Sequence, residues 1–330
     1  MSGRLAPAAM FAVALPIALV GGALVLRQGA PAFAAQEAEG QATPLGSQLL
    51  QRLQRARGGE TLVLAPGDYG EVKIANLSFS PAVTIDASRA RFARIKIWDG
   101  GGFRLSGATV VSPTGQHSIG IDLRRVKDVH LDKLSVSGAR VGIGIGRSEG
   151  VSVQDSKLDG LRSDGIDIAM SRKVTIRNNS CSNFAPVKSE YDANGKRTKV
   201  GDHPDCIQAW SRPVLPPTAD VLIEGNRAQG TMQGIFFGNH VRDGVDDGGF
   251  DRITIRNNDV EVTYGNGIVL ANGRDSVITG NRVASVPRTP HPVSPHRFLK
   301  TWISAKGGAR VMVCGNRVAD FPDGDPSRRC

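Results

Sequence analysis

The chain has 330 residues, of which 40% are hydrophobic and 5% aromatic, and it carries 40 glycines and a formal net charge of +10. Four cysteines are too few for a disulfide scaffold and lack metal-ligand spacing. The charge favours acidic partners, yet no RRM, KH, zinc-finger or basic-helix signature accompanies it, so nucleic acid is set aside.

Residues 1–35 differ from the rest. Arg4 precedes an apolar run to Leu26, and the small-residue stretch that follows holds Ala32-Phe33-Ala34, an A-x-A cleavage pattern. The expectation is a secretory signal peptide and a periplasmic or secreted body. The alternative is an uncleaved anchor, the one route to a membrane. Removing Arg4 and Arg27 leaves 10 − 2 = +8 on the mature chain.

Residues 36–59 read as a linker and a capping helix. Leu45, Leu49, Leu50 and Leu53 share one helical face, and a solenoid exposes a greasy end unless something covers it.

From residue 60 to 330 a single unit recurs. The segments VTIDAS, FRLSGA, VHLDKL, VSVQDS, VTIRNN, VLIEGN, ITIRNN, SVITGN and VMVCGN align on Ile85, Leu105, Leu131, Val153, Ile176, Ile223, Ile255, Ile278 and Val313. Successive spacings are 20, 26, 22, 23, 47, 32, 23 and 35 residues, a basic coil near 22 with insertions. A second strand follows in most coils, registered on Ile121, Ile143, Ile166, Ile207, Ile235 and Ile268. Two strands per repeat bounded by Gly, Asn or Asp predict an all-β, right-handed parallel β-helix of about nine to ten coils. Asn179, Asn226, Asn258, Asn281 and Asn316 stand three positions past the first register and predict an internal amide ladder. Cys181 falls in a core column with Val136 and Leu158. A Cys314–Cys330 clip is expected at the C-terminal end.

The pattern over residues 60 to 320 resembles the pectin-lyase-like superfamily, which includes pectate lyases, alginate lyases, epimerases and polygalacturonases. SDGID (Ser163–Asp167) and PDCIQ (Pro204–Gln208) are similar to the paired NTDGxD and DDCxA segments of polygalacturonase-type hydrolases. Pro204 stands where that family has its first aspartate, and the later GHG and RIK motifs have no clear counterpart in QGIFFGN or NGIVLAN. The resemblance carries Asp164 and Asp205 over as catalytic carboxyls and leaves the third acidic position unfilled.

Residues after the second register should point outward, which makes Asp167 and Gln208 neighbours. Asp164, Asp167, His203, Asp205, Gln208 and Trp210 then form the densest polar cluster. Crowded carboxylates repel, so one should hold its proton unless a cation such as calcium neutralises them. The insertions 184–202 and 284–298 bring Lys188, Lys196, Arg197, Lys199, Arg288, His291, His296 and Arg297 to two walls, an arrangement suited to an acidic polysaccharide. A third insertion, Asn239–Asp251, holds four aspartates and reads as a turn ahead of a calcium loop.

The expectation is a monomeric polysaccharide lyase acting on a uronate-containing chain. His203 is the base, and Asp164, Asp167 and Asp205 hold a cation or sugar hydroxyls. Lys199 or Arg197 neutralises the uronate carboxylate, Gln208 and Trp210 position a ring, and Tyr191 and Tyr264 are alternative acids or bases. Glycoside hydrolysis by Asp164 and Asp205, C5-epimerisation and a non-catalytic envelope solenoid are the alternatives.

Overall fold

The computed structural model describes residues 43–113, 118–286 and 300–319. The signal segment, Arg288 to Arg297 and Cys330 lie outside them, and with them the second basic wall and the far end of the expected Cys314–Cys330 clip.

The described chain winds through three parallel sheets of ten, ten and nine strands. In the first sheet, Leu62, Ile85, Leu105, Leu131, Val153, Ile176, Ile223, Ile255, Ile278 and Val313 stand in one register. This is the column of the sequence repeat with one coil added at its start. In the third sheet Ile95, Ile121, Ile143, Ile166, Ile207, Ile235, Ile268 and Ile303 do the same. Each coil has three strands where two were expected. The additional sheet is built on Val136, Leu158, Cys181, Val260, Val283 and Val318. Its strands are mostly three or four residues long and most bury a single side chain, too short a run for an alternation to stand out in the sequence.

All three sheets send aliphatic side chains inward to one core. The helix Pro44–Arg55 covers its N-terminal end, with Leu49 and Leu53 buried and Thr43 accepting from the Gly46 amide at 3.3 Å.

The asparagine ladder lies at the turn between the first and second sheets. The backbone N–H groups of Asn179, Asn226, Asn258 and Asn281 each donate to Oδ1 of the next asparagine at 2.9–3.0 Å. The side-chain amides repeat the contact at 2.9–3.0 Å. Ser156 extends the ladder, its amide donating to Asn179 Oδ1 at 3.0 Å. The left-handed conformation falls on the residue before each rung: Asp155, Asn178 and Asn257 have φ of 50°, 55° and 55°, and Gly225, Gly280 and Gly315 have 64–66°. These types tolerate that region best.

Cys181 is a core residue and also half of a disulfide with Cys206, at a Cα separation of 5.6 Å. The bond ties the second sheet to the third immediately beside Asp205.

Candidate functional site

The third sheet presents two outward columns. One runs Lys96, Asp122, Gly144, Asp167, Gln208, Phe236, and the other Trp98, Arg124, Gly146, Ala169, Trp210. Asp167 and Gln208 are register partners, as expected. Asp164 precedes the same strand and Asp205 opens the next, so one pair of coils carries all four.

Asp164 Oδ1 accepts the Asp205 amide at 3.0 Å, and Oδ2 accepts the Ser163 hydroxyl at 3.0 Å. Asp205 Oδ2 accepts from the Gln208 amide at 2.8 Å, and the Gln208 carbonyl accepts the Trp210 indole N–H at 3.1 Å. Oδ1 of Asp167 and Oδ1 of Asp205 are buried without a hydrogen-bond partner. Burial pushes Asp164 up to about 6 against the pull of Arg140. Burial, then the charge of Asp164, holds Asp167 and Asp205 well above the usual carboxylate range. Burial and the charge of Asp164 thus favour the protonated forms of Asp167 and Asp205, while Asp164, at about 6, is largely ionised at neutral pH.

Arg140 and Arg162 converge on Asp202 at the foot of the long insertion, 3.6 and 2.9 Å away. Asp202 Oδ2 also accepts the Val187 amide at 3.0 Å, which closes the base of the insertion. Within it Glu190–Tyr191 and Arg197–Lys199 pair as a hairpin turned by Asp192, whose carboxylate accepts the amides of Asn194 and Lys196 at 2.9 Å.

His203 is exposed, next to buried Pro204, and stays outside the hydrogen-bonded chain of Asp205, Gln208 and Trp210. Lys199, expected to be available to a carboxylate, is ion-paired with Glu190 at 2.7 Å. Arg197 and Tyr191 are exposed register partners in the hairpin. Tyr264 lies half-buried two coils away, and its carbonyl accepts from Thr301 at 3.2 Å. Three of the four aspartates of the third insertion are engaged as turn and ion-pair acceptors. Asp246 takes Gly248 N–H at 2.6 Å, Asp247 takes His240 N–H at 3.2 Å, and Asp251 pairs with Arg274 at 2.5 Å. Among the described residues no group of three or more His, Cys, Asp or Glu side chains is set to hold a metal ion.

His240 was missed from the sequence. Its ring stacks on Trp210 at 5.8 Å and 20°, and its position inside an Asp- and Gly-rich insertion gave no sign of this. A second polar cluster, at the start of the same sheet, was also missed. Lys96 pairs with Glu71 at 2.6 Å, and Asp122 accepts from Trp98 Nε1 at 3.1 Å and from Arg124 Nε at 3.0 Å. Ser152, His130 and Asp128 form a further contact series, at 2.8 and 2.7 Å, on the first sheet.

The model of the right-handed β-helix region matches residues 83–288. No curated protein matches the chain. Among solved structures, an alginate lyase from Paenibacillus sp. str. FPU-7 is similar at 15% identity and a TM-score of 0.45, over 82% of this chain and 94% of that one. A mannuronan C-5 epimerase A-module from Azotobacter vinelandii is similar at 13% identity and 0.37, over 79% and 83%. A mannuronic acid specific polysaccharide family 6 lyase from human gut microbiota is similar at 11% and 0.38, over 81% and 80%.

Proposed function

We propose that this chain, which belongs to the right-handed β-helix family, is an exported polysaccharide lyase that cleaves a uronate-containing chain by β-elimination. The observation that carries the reading is the division between buried and accessible groups at the site. Asp205 is fully buried, and both oxygens of Asp164 are occupied by Asp205 and Ser163. An inverting hydrolase needs two carboxyls that reach the sugar and a water between them, so this arrangement favours elimination over hydrolysis. The groups that reach solvent are an imidazole, an indole edge and the basic hairpin.

In this reading His203 removes the C5 proton, and Arg197 from the insertion wall faces the uronate carboxylate. Trp210, fixed by Gln208 below and His240 above, supports a sugar ring. Burial favours the protonated forms of Asp167 and Asp205, which lessens the negative charge beneath an anionic substrate.

The test incubates the protein with alginate, polygalacturonate and other acidic polysaccharides, following near-ultraviolet absorbance and reducing ends. A rise in both, abolished in His203→Ala, is the expected result. Reducing ends without absorbance would establish hydrolysis and overturn the lyase assignment. Affinity without turnover would leave a binding solenoid. Export is tested by N-terminal sequencing of the mature protein, with cleavage expected after Ala34.

A further inference from the structure

The outward face of the first sheet carries a hydrogen-bonded series that the proposed elimination does not use. Arg104, His130, Ser152 and Thr175 stand in one register on successive coils. His130 Nδ1 lies 2.8 Å from Ser152 Oγ, and its Nε2 lies 2.7 Å from Asp128 Oδ1. One tautomer satisfies both contacts: Nε2–H donates to the carboxylate, and Nδ1 accepts the serine hydroxyl. A base thus faces a hydroxyl and is oriented from behind by a carboxylate, the arrangement that activates a serine nucleophile.

The solenoid places each of these groups through its own backbone. Asp128 has a left-handed φ of 52°, and the corresponding residues of the next two coils, Gly150 and Lys173, share that region at 69° and 54°. The entry into the strand sets the carboxylate, and strand register sets Ser152 against His130. Gln154 follows Ser152 by two residues, so its side chain leaves the same face of the strand about 7 Å further on. Its carboxamide makes no hydrogen bond among the described residues, and its NH2 group is a neutral donor for charge developing on an acyl oxygen. Ser152 is 6% exposed and the imidazole 30%. So small an opening at the serine selects a small acyl group.

We propose that Asp128, His130 and Ser152 form a second active centre, an esterase site that removes a small acyl group such as acetyl from an ester. Ser152 Oγ attacks the acyl carbonyl carbon, and its proton passes to His130 Nδ1. The ester C–O bond then breaks, and the leaving alcohol oxygen takes that proton. Water attacks the acyl-serine with His130 again as base, the bond from the acyl carbon to Ser152 Oγ breaks, and the serine recovers its proton. One water is consumed, an alcohol and a carboxylic acid are released, and no electrons are exchanged. The activity is independent of the elimination reading, whose groups lie on the third sheet and its insertions.

The experiment uses the full chain with p-nitrophenyl acetate and p-nitrophenyl octanoate as substrates, and a fluorophosphonate followed by peptide mass mapping as a covalent label. Wild type should hydrolyse the acetate faster than the octanoate and carry the label on Ser152. Ser152→Ala, with an unchanged melting profile, should lose about a hundredfold or more in kcat/KM. Asp128→Asn should lose much of the same factor, because its NH2 group favours the other tautomer of His130. A rate that survives in Ser152→Ala and falls in His130→Gln is simple imidazole catalysis and overturns the proposal. A wild-type chain that takes no label on Ser152 overturns it as well, and that reading depends on no variant folding.

Discussion

Gln208 donates to Asp205 across 2.8 Å and so supplies the one side-chain hydrogen bond that this fully buried carboxyl receives. The same glutamine accepts the Trp210 indole N–H at 3.1 Å. One side chain thus couples a buried proton site to the ring proposed to support a sugar. Replacing Gln208 by Leu removes both contacts and leaves two buried or half-buried polar groups unpaired. The expected cost is about 2 kcal/mol of stability, read by urea denaturation. Turnover should fall further than stability explains, because Trp210 loses its edge contact. Gln208→Glu keeps the Trp210 acceptor but adds a carboxylate beside Asp205, so its loss should be largest at alkaline pH.

The carboxyl trio makes stability depend on pH in a definite direction. Burial raises Asp164 to about 6 in the folded chain and, with the charge of Asp164, raises Asp167 and Asp205 well above the usual carboxylate range. Each binds its proton more tightly folded than unfolded. The folded state therefore loses stability as pH rises from the unfolded value near 4 through the folded values, and below about 4 the effect is absent. A denaturant midpoint that falls between pH 5 and pH 8 is expected. Asp167→Asn and Asp205→Asn should flatten that slope and gain stability at pH 8. A midpoint that rises over this range, with the slope unaltered in both variants, would show that the trio is ionised.

Much of this architecture was legible because core-facing residues repeat. A coil stacks on the next only if its inward positions stay aliphatic, so Ile85 to Val313 and Ile121 to Ile268 formed visible columns. Outward residues obey no such constraint. Asp167 beside Gln208 could be inferred by counting from an isoleucine, and it stands where counting placed it. The Trp98 cluster could not, because its strand, Arg94–Trp98, lacks the Gly-Ile opening that marked most of the others. His203 illustrates a second limit: it precedes Asp205 by two residues, but buried Pro204 separates an exposed imidazole from a buried carboxyl. The disulfide escaped notice because Cys181 and Cys206 lie on different sheets, and only the three-sheet cross-section brings them together.

That disulfide closes a loop of 25 residues containing the whole basic insertion. Its chain-entropy contribution is about 3 kcal/mol. Cys181→Ala/Cys206→Ala should lower the denaturant midpoint accordingly. Because Cys206 adjoins Asp205, the variant should also lose turnover under conditions where it is still folded. Both sulfurs are buried, so reductant should act on the native protein only slowly and on the unfolded protein at once. The rate of thiol appearance with a chromogenic reagent, with and without denaturant, checks this.

The asparagine ladder sets the cost of breaking the solenoid in its middle. Oδ1 of Asn258 accepts both the backbone and side-chain N–H of Asn226, at 2.9 and 3.0 Å. Its Nδ2 donates to Asn281 Oδ1, Ile223 O and Arg256 O at 2.9–3.1 Å. Asn258→Ala removes all of these and strands a backbone amide and a side-chain amide in the coil above. The expected loss is about 3 kcal/mol or more, since each unsatisfied buried group costs about 1–3 kcal/mol. Asn258→Asp keeps the acceptors and loses the donors, so it should also destabilise, and less at acidic pH where the carboxyl is protonated. Asn316 is the last rung among the described residues and accepts from Asn281 alone. Asn316→Ala should therefore cost less than Asn258→Ala, because fewer coils depend on it. Equal midpoints for the two alanine variants would show that the ladder contributes rung by rung rather than as a continuous chain.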